Sequence, residues 1–111
     1  MNPHPYYRYI QDPGHGWIEV PRAELNTLGI AHRVSLYSYQ FGEWVYLEED
    51  CDAGAWIKAR AAQGSPVGQD ELLEEHTDTD SLIREFERYR PSPNLRAQTA
   101  ARIAAALGGV I

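Results

Sequence analysis

Two short alternating runs joined by a glycine constrain this chain more than any other feature in it. Val34-Ser35-Leu36-Tyr37-Ser38-Tyr39-Gln40 and Trp44-Val45-Tyr46-Leu47-Glu48 both repeat with period two, and Phe41-Gly42-Glu43 connects them. That period puts alternate side chains on opposite faces of a strand, and a glycine in the connection fits a hairpin. Leu36, Ser38 and Gln40 share one face of the first strand, and Tyr37 and Tyr39 the other. The pattern predicts an antiparallel pair.

Other segments arrange themselves around that pair. Tyr6–Gln11 and Trp17–Val20 are β-prone, and Asp12-Pro13-Gly14-His15-Gly16 between them is a loop of hairpin length. Pro21 suits a helix start and Gly29 a helix end, which predicts a helix over 21–28 with Leu25 and Leu28 on one face. Asp52 is expected to cap a helix over 53–63, with Trp56, Ile57 and Ala61 inward. Residues 70–76 favour helix by composition, but their length and setting also allow a fifth strand. Asp80 is expected to cap an amphipathic helix through Leu82, Ile83, Phe86 and Tyr89. Pro91-Ser92-Pro93 ends it, and a last helix is predicted over 93–107, stopped by Gly108-Gly109. The expected fold is one α+β domain over 1–111, with a small, mostly antiparallel sheet of two hairpins packed by about four helices, order ββαββα(β)αα.

Charge is unevenly spread. Residues 1–42 are neutral, with three acids and three bases. Residues 43–87 carry thirteen acids against Lys58, Arg60 and Arg84, a net of −10. Residues 88–111 hold Arg88, Arg90, Arg96 and Arg102 and no acid, a net of +4, and together the three stretches make the overall −6. An acidic chain disfavours direct nucleic-acid binding, and the asymmetry bears on partners rather than fold. The arginines of the last stretch read as a solvated face or an internal counter-charge. No apolar run approaches the ~20 residues of a membrane span. The N-terminus lacks the basic and apolar regions of a secretory signal, so a cytoplasmic location is expected.

The sequence supports no enzyme. Glu48-Glu49-Asp50-Cys51-Asp52 is the densest carboxylate cluster, yet it lacks the spread and central glycine of a calcium loop. Adjacent strand residues also point to opposite faces, which scatters the carboxylates. His4, His15, His32 and His76 have no metal-ligand spacing. Cys51, the sole cysteine, stands beside four carboxylates that raise a thiol's pKa, the wrong direction for a nucleophile. His15, between two glycines, reads as an exposed loop residue that could contact a ligand. Phosphate-loop and serine-hydrolase motifs are missing. No metal and no cofactor are expected.

The acidic block remains. Glu43, Glu48, Glu49, Asp50, Asp70, Glu71, Glu74, Glu75 and Asp78 are the candidate partner-binding residues. Strand residues two apart are separated by roughly 6.6–6.8 Å, and a nucleic-acid strand rises ~3.4 Å per phosphate. The two charge densities are of the same order, so a folded acidic face could occupy a groove built for a phosphate backbone. Two rivals stand beside this. One is an interaction module using Tyr37, Tyr39, Trp44 and Tyr46; the other is a small metal-dependent enzyme on Asp50 and Asp52.

The strings His15-Gly16-Trp17-Ile18-Glu19-Val20-Pro21, Ser35-Leu36-Tyr37-Ser38-Tyr39-Gln40 and Tyr46-Leu47-Glu48-Glu49-Asp50-Cys51-Asp52 resemble a family of small uncharacterised proteins of phages and mobile elements. The resemblance extends to His76-Thr77-Asp78 and Ile83-Arg84, and so spans roughly 12–90. In size and acidity the chain also resembles small anti-CRISPR proteins, including those acting on type I-C systems. Nine arginines against one lysine, with thirteen alanines, fit a GC-rich bacterial or phage genome. The resemblance implies a monomeric inhibitor of a bacterial defence complex, binding a basic nucleic-acid channel of a CRISPR surveillance complex, with no membrane and no direct nucleic-acid contact. It supplies no catalytic residue.

Overall fold

The computed structural model describes residues 6–91. Its centre is a six-stranded mixed sheet. The strands are β1 (Tyr7–Gln11), β2 (Gly16–Pro21), β3 (Tyr39–Phe41), β4 (Trp44–Glu48), β5 (Leu72–His76) and β6 (Glu87–Arg88), in the spatial order β5-β1-β2-β4-β3-β6. Every pairing is antiparallel except β1 with β5, which run parallel with Tyr7 opposite Leu72 and Gln11 opposite His76. Two α-helices, α1 (Arg22–Leu28) and α2 (Ala53–Ala62), accompany it, with 3₁₀ turns at Ala31–Arg33, Gln69–Glu71 and Leu82–Glu85. No helix among the described residues is long and apolar enough to cross a membrane.

The period-two patterns divide two cores. Ile18, Val20, Val45 and Leu47 pack with Leu25 of α1 and Trp56 of α2 on one face. Ile10, Trp17, Tyr39 and Tyr46 pack with Ile83, and with Phe86 beside them, on the other. Central β2 is buried at every position because both of its faces are covered. Helix α1 is the helix expected over 21–28 but starts one residue later, because Pro21 is extended and ends β2; Gly29 ends it at φ 73, the left-handed conformation that favours glycine.

The structure corrects the expected architecture. The described residues form a six-stranded mixed sheet with two α-helices, not two hairpins under about four helices. The ambiguous 70–76 stretch is strand from Leu72, and its pairing with β1 makes the sheet mixed. The helix expected from Asp80 is a 3₁₀ turn followed by β6, capped by Ser81, whose Oγ accepts from the Ile83 amide at 3.2 Å. This segment rounds the edge of the sheet, burying Ile83 in one core and Tyr89 in the other, while Leu82 stays 72% exposed. One helical stripe faces one way, so a helix could not serve both cores. The helix predicted over 93–107 lies outside the described residues.

The strand expected over 34–40 shrinks to Tyr39–Phe41, and the cap assigned to Asp52 is absent. The two facts have one cause. Buried Asp52 accepts hydrogen bonds from the Ser35 amide and hydroxyl and from the Ser38 hydroxyl. Ser38 Oγ in turn accepts from the Glu48 amide at 2.9 Å. These side-chain bonds replace strand pairing over 35–38 and turn Leu36 and Tyr37 out to solvent. Ile57 and Ala61, expected inward on α2, are exposed; only Ala53 and Trp56 of that helix are buried.

Candidate functional site

Sorting the carboxylates by burial separates framework from surface. Five are buried: Asp12, Glu19, Glu24, Glu48 and Asp52. Burying a charge is costly unless it is paired and hydrogen-bonded; all five accept hydrogen bonds, and Asp12, Glu19 and Glu24 also have an arginine partner. Glu24 accepts from Tyr7 Oη and from Trp56 Nε1, both at 2.6 Å, with Arg60 3.7 Å away. Glu19 accepts from Arg8 at 3.0 Å and from Tyr46 Oη at 2.9 Å. Burial, and then these carboxylates, push the Tyr7 and Tyr46 phenols well above their ordinary range. Asp12 accepts from Arg84 Nε at 2.6 Å, from Arg84 Nη2, and from the amides of Gly14, His15 and Ser81. The Arg84 guanidinium chiefly, with those amides, holds the Asp12 carboxyl well below the usual carboxylate range.

The nine acidic candidates therefore do not form one face. Glu48 is buried, and its Oε2 accepts from the amides of Asp50 and Cys51. Glu75 is forked by Arg8, at 2.6 and 2.9 Å, which lowers its carboxyl's pKa. Glu71 accepts from the Gly68 amide at 2.7 Å and from Arg60 at 3.3 Å, and the amide chiefly lowers its pKa. Register places Glu43, Asp70 and Glu71 at the end of the sheet where β1 begins, because Leu72 pairs with Tyr7 and Trp44 with Pro21. Glu49, Asp50, Glu74 and Asp78 gather toward the other end, where Gln11 pairs with both Gly16 and His76 and the Glu49 amide donates to the Gly16 carbonyl.

That second group is held by a close contact. Tyr9 Oη donates to Glu49, and this bond, with burial and the nearby charges of Glu74 and Asp50, pushes the phenol up to about 12. A Cβ at Gly16 would lie 2.8 Å from the Tyr9 ring and 2.7 Å from the Glu49 carboxylate, so glycine leaves room for the pair. Asp78 is fully open, with His76 3.6 Å away. Asp50, Glu74, Glu43 and Asp70 have no ion pair among the described residues.

Beside the acidic end, on the sheet face away from the helices, lies an open cavity of about 350 Å³. His15, Trp17, Tyr37, Tyr39, Asp50 and Cys51 contribute to its lining. His15 Nδ1 stands 3.5 Å from Glu48 Oε1. The hydrogen bond to Glu48 chiefly, and the surrounding acids, raise the pKa of the Cys51 thiol. Glu48 thus stands between histidine and thiol and disfavours the thiolate, the opposite of what activates a cysteine nucleophile. Trp17 is fully buried, and its indole N–H has no hydrogen-bond partner, the only such buried side-chain atom among the described residues. An orphaned buried donor costs about 1–3 kcal/mol.

Sequence reasoning noted His15 and Cys51 but missed Trp17, Arg84 and Arg88 as their neighbours. The Gly-His-Gly turn was the available signal. The aromatic surface expected from Tyr37, Tyr39, Trp44 and Tyr46 reduces chiefly to Tyr37, since Tyr39 and Tyr46 are core and Trp44 is half-buried. No group of acids, histidines or cysteine among the described residues is arranged to hold a metal ion, and Asp52 is committed to two serines. No family model, curated protein or solved structure matches this chain.

Proposed function

We propose that this chain is a non-catalytic inhibitor that docks its acidic end into a basic, nucleic-acid-binding channel of a partner complex. The observation that carries the reading is the grouping of Glu49, Asp50, Glu74 and Asp78 toward one end of the sheet, Glu74 midway along β5 and the other three in the segments that follow β4 and β5, strands whose spacing is set by backbone pairing. Strands β4 and β5 are three positions apart in the sheet, or roughly 14 Å at the usual inter-strand spacing. Carboxylates displayed on so rigid a frame lose little conformational entropy on docking, and they draw a cationic groove by long-range attraction. With the resemblance to small acidic phage proteins, the partner is a CRISPR effector complex, with the type I-C surveillance complex as the first to test. The inhibitor acts as a monomer in the cytoplasm of the bacterial host.

The test is binding of the whole protein to that purified complex across a salt series, with and without double-stranded DNA. Affinity that falls with salt, competition by DNA, and loss on E49R/D50R/E74R but not on E43R/D70R are expected. Salt-insensitive binding, or equal loss from both sets of reversals, overturns the reading.

A further inference from the structure

The cavity beside the acidic end carries a second, separate inference, which does not rest on the docking reading. Three of its polar groups have no hydrogen-bond acceptor or no oppositely charged partner among the described residues. The Trp17 indole N–H is a buried donor with no acceptor. Arg88, whose guanidinium lies 4.5 Å from the Tyr39 ring centroid and donates to the Leu36 carbonyl, has no ion pair among the described residues. Asp50 is an exposed carboxylate, likewise with no cation partner among them. All three residues line the same space, and they come from β2, from β6 and from the turn after β4.

Arg84 and Glu48, the other charged groups of the lining that hold fixed partners, are already engaged. Arg84, 5.4 Å from the Trp17 ring centroid, is committed to Asp12, and Glu48 to two backbone amides. What remains is a donor, a cation and an anion in one lining, with an aromatic part that includes Tyr37 and Tyr39. A simple anion would leave Asp50 unanswered and be repelled by it. A simple cation would leave Trp17 and Arg88 unanswered. We infer that the cavity binds a small zwitterion of the free amino-acid class, its carboxylate accepting from Trp17 Nε1 and Arg88 and its ammonium donating to Asp50. The cavity volume is at the small end of the usual range for ligand sites, as such a molecule requires.

The experiment is a titration of the ¹⁵N-labelled protein with free α- and ω-amino acids, following the three tryptophan indole N–H signals. The Trp17 signal is identified by its loss in W17F, or by its contact with Arg84 if that variant does not fold. A saturable shift of that signal is expected with at least one amino acid. D50N and R88Q, both changes of exposed side chains, should each weaken that affinity by roughly tenfold or more. The N-acetyl and methyl-ester forms of the same ligand should lose binding to a similar degree. No saturable shift up to ~10 mM, unchanged affinity in D50N and R88Q, or equal binding of the capped forms would each overturn the inference.

Discussion

The two faces of the sheet are covered by different means, and the contrast separates what stabilises this protein from what it leaves open for binding. Under α1 and α2, Glu24 is hydrogen-bonded to Tyr7 and Trp56 with Arg60 alongside, so strand, helix and helix meet at one satisfied carboxylate. Under the 3₁₀ turn at Leu82–Glu85, Asp12 does the equivalent task by holding Ser81 and Arg84. That second cover is a single strap rather than two helices, and beside it Trp17 keeps an unpartnered N–H and a cavity opens. A polar network that is complete rigidifies its region, and one that is incomplete leaves a buried group at a cost.

The largest effect should come from breaking the complete side. Glu24→Leu leaves the Tyr7 hydroxyl, the Trp56 indole and Arg60 without their buried acceptor, and should cost about 3–5 kcal/mol in urea unfolding. Asp12→Asn should loosen the strap and cost about 2–3 kcal/mol near neutrality, with a pH signature of its own. Because the folded Asp12 carboxyl titrates below its unfolded range, its contribution is complete above about pH 4 and is lost as the pH falls below that. Wild type and D12N should therefore converge in acid, and a constant gap between their stabilities down to the lowest measurable pH would refute the role given to the strap.

A finer comparison uses the two buried tryptophans. Trp56→Phe removes a donor that Glu24 uses, whereas Trp17→Phe removes one that has no partner. Trp56→Phe should be the more destabilising by about 1–2 kcal/mol, and equal losses by thermal or urea unfolding would mean that the Trp17 N–H is satisfied after all. Smallest should be the charge reversals Glu74→Arg and Asp50→Arg, both of exposed side chains with no ion pair among the described residues. Their stability changes should stay within about 0.5 kcal/mol, so that any effect on a partner reads binding rather than folding.

How much of this could be read from the residues depends on the distance along the chain over which each one acts. The loop at Asp12–Gly16, helix α1 with its Gly29 end, strand β4 and the body of α2 follow from neighbours a few positions apart, and all are legible. The apolar spacing of Leu82, Ile83, Phe86 and Tyr89 is real, yet it misleads. The ligands that shape that segment are Asp12, at the far end of β1, and the carbonyls of Ser38 and Ala31, which accept from the Tyr89 amide and hydroxyl. Ser35 and Ser38 alternate as strand residues should, but Asp52 captures both. The acidic block suffers most. Along the chain Glu48, Glu71 and Glu75 look no different from Asp50 and Glu74, and only folding brings Arg8 to Glu75 across 67 positions and Arg60 to Glu71 across 11.

By itself the amino-acid order determined the local geometry: where backbone turns left-handed at Gly29 and Gly42, which runs alternate, and that the middle of the chain is acidic. Those are properties of a residue and its immediate neighbours, decided by sterics and composition. Only the tertiary structure decided which carboxylates become framework and which stay charged and open, because that depends on the partners delivered by strands far apart in sequence. It also decided that His15, Trp17 and Cys51 share one cavity. That follows from the pairing of β2 with β4 and from nothing local to any of the three.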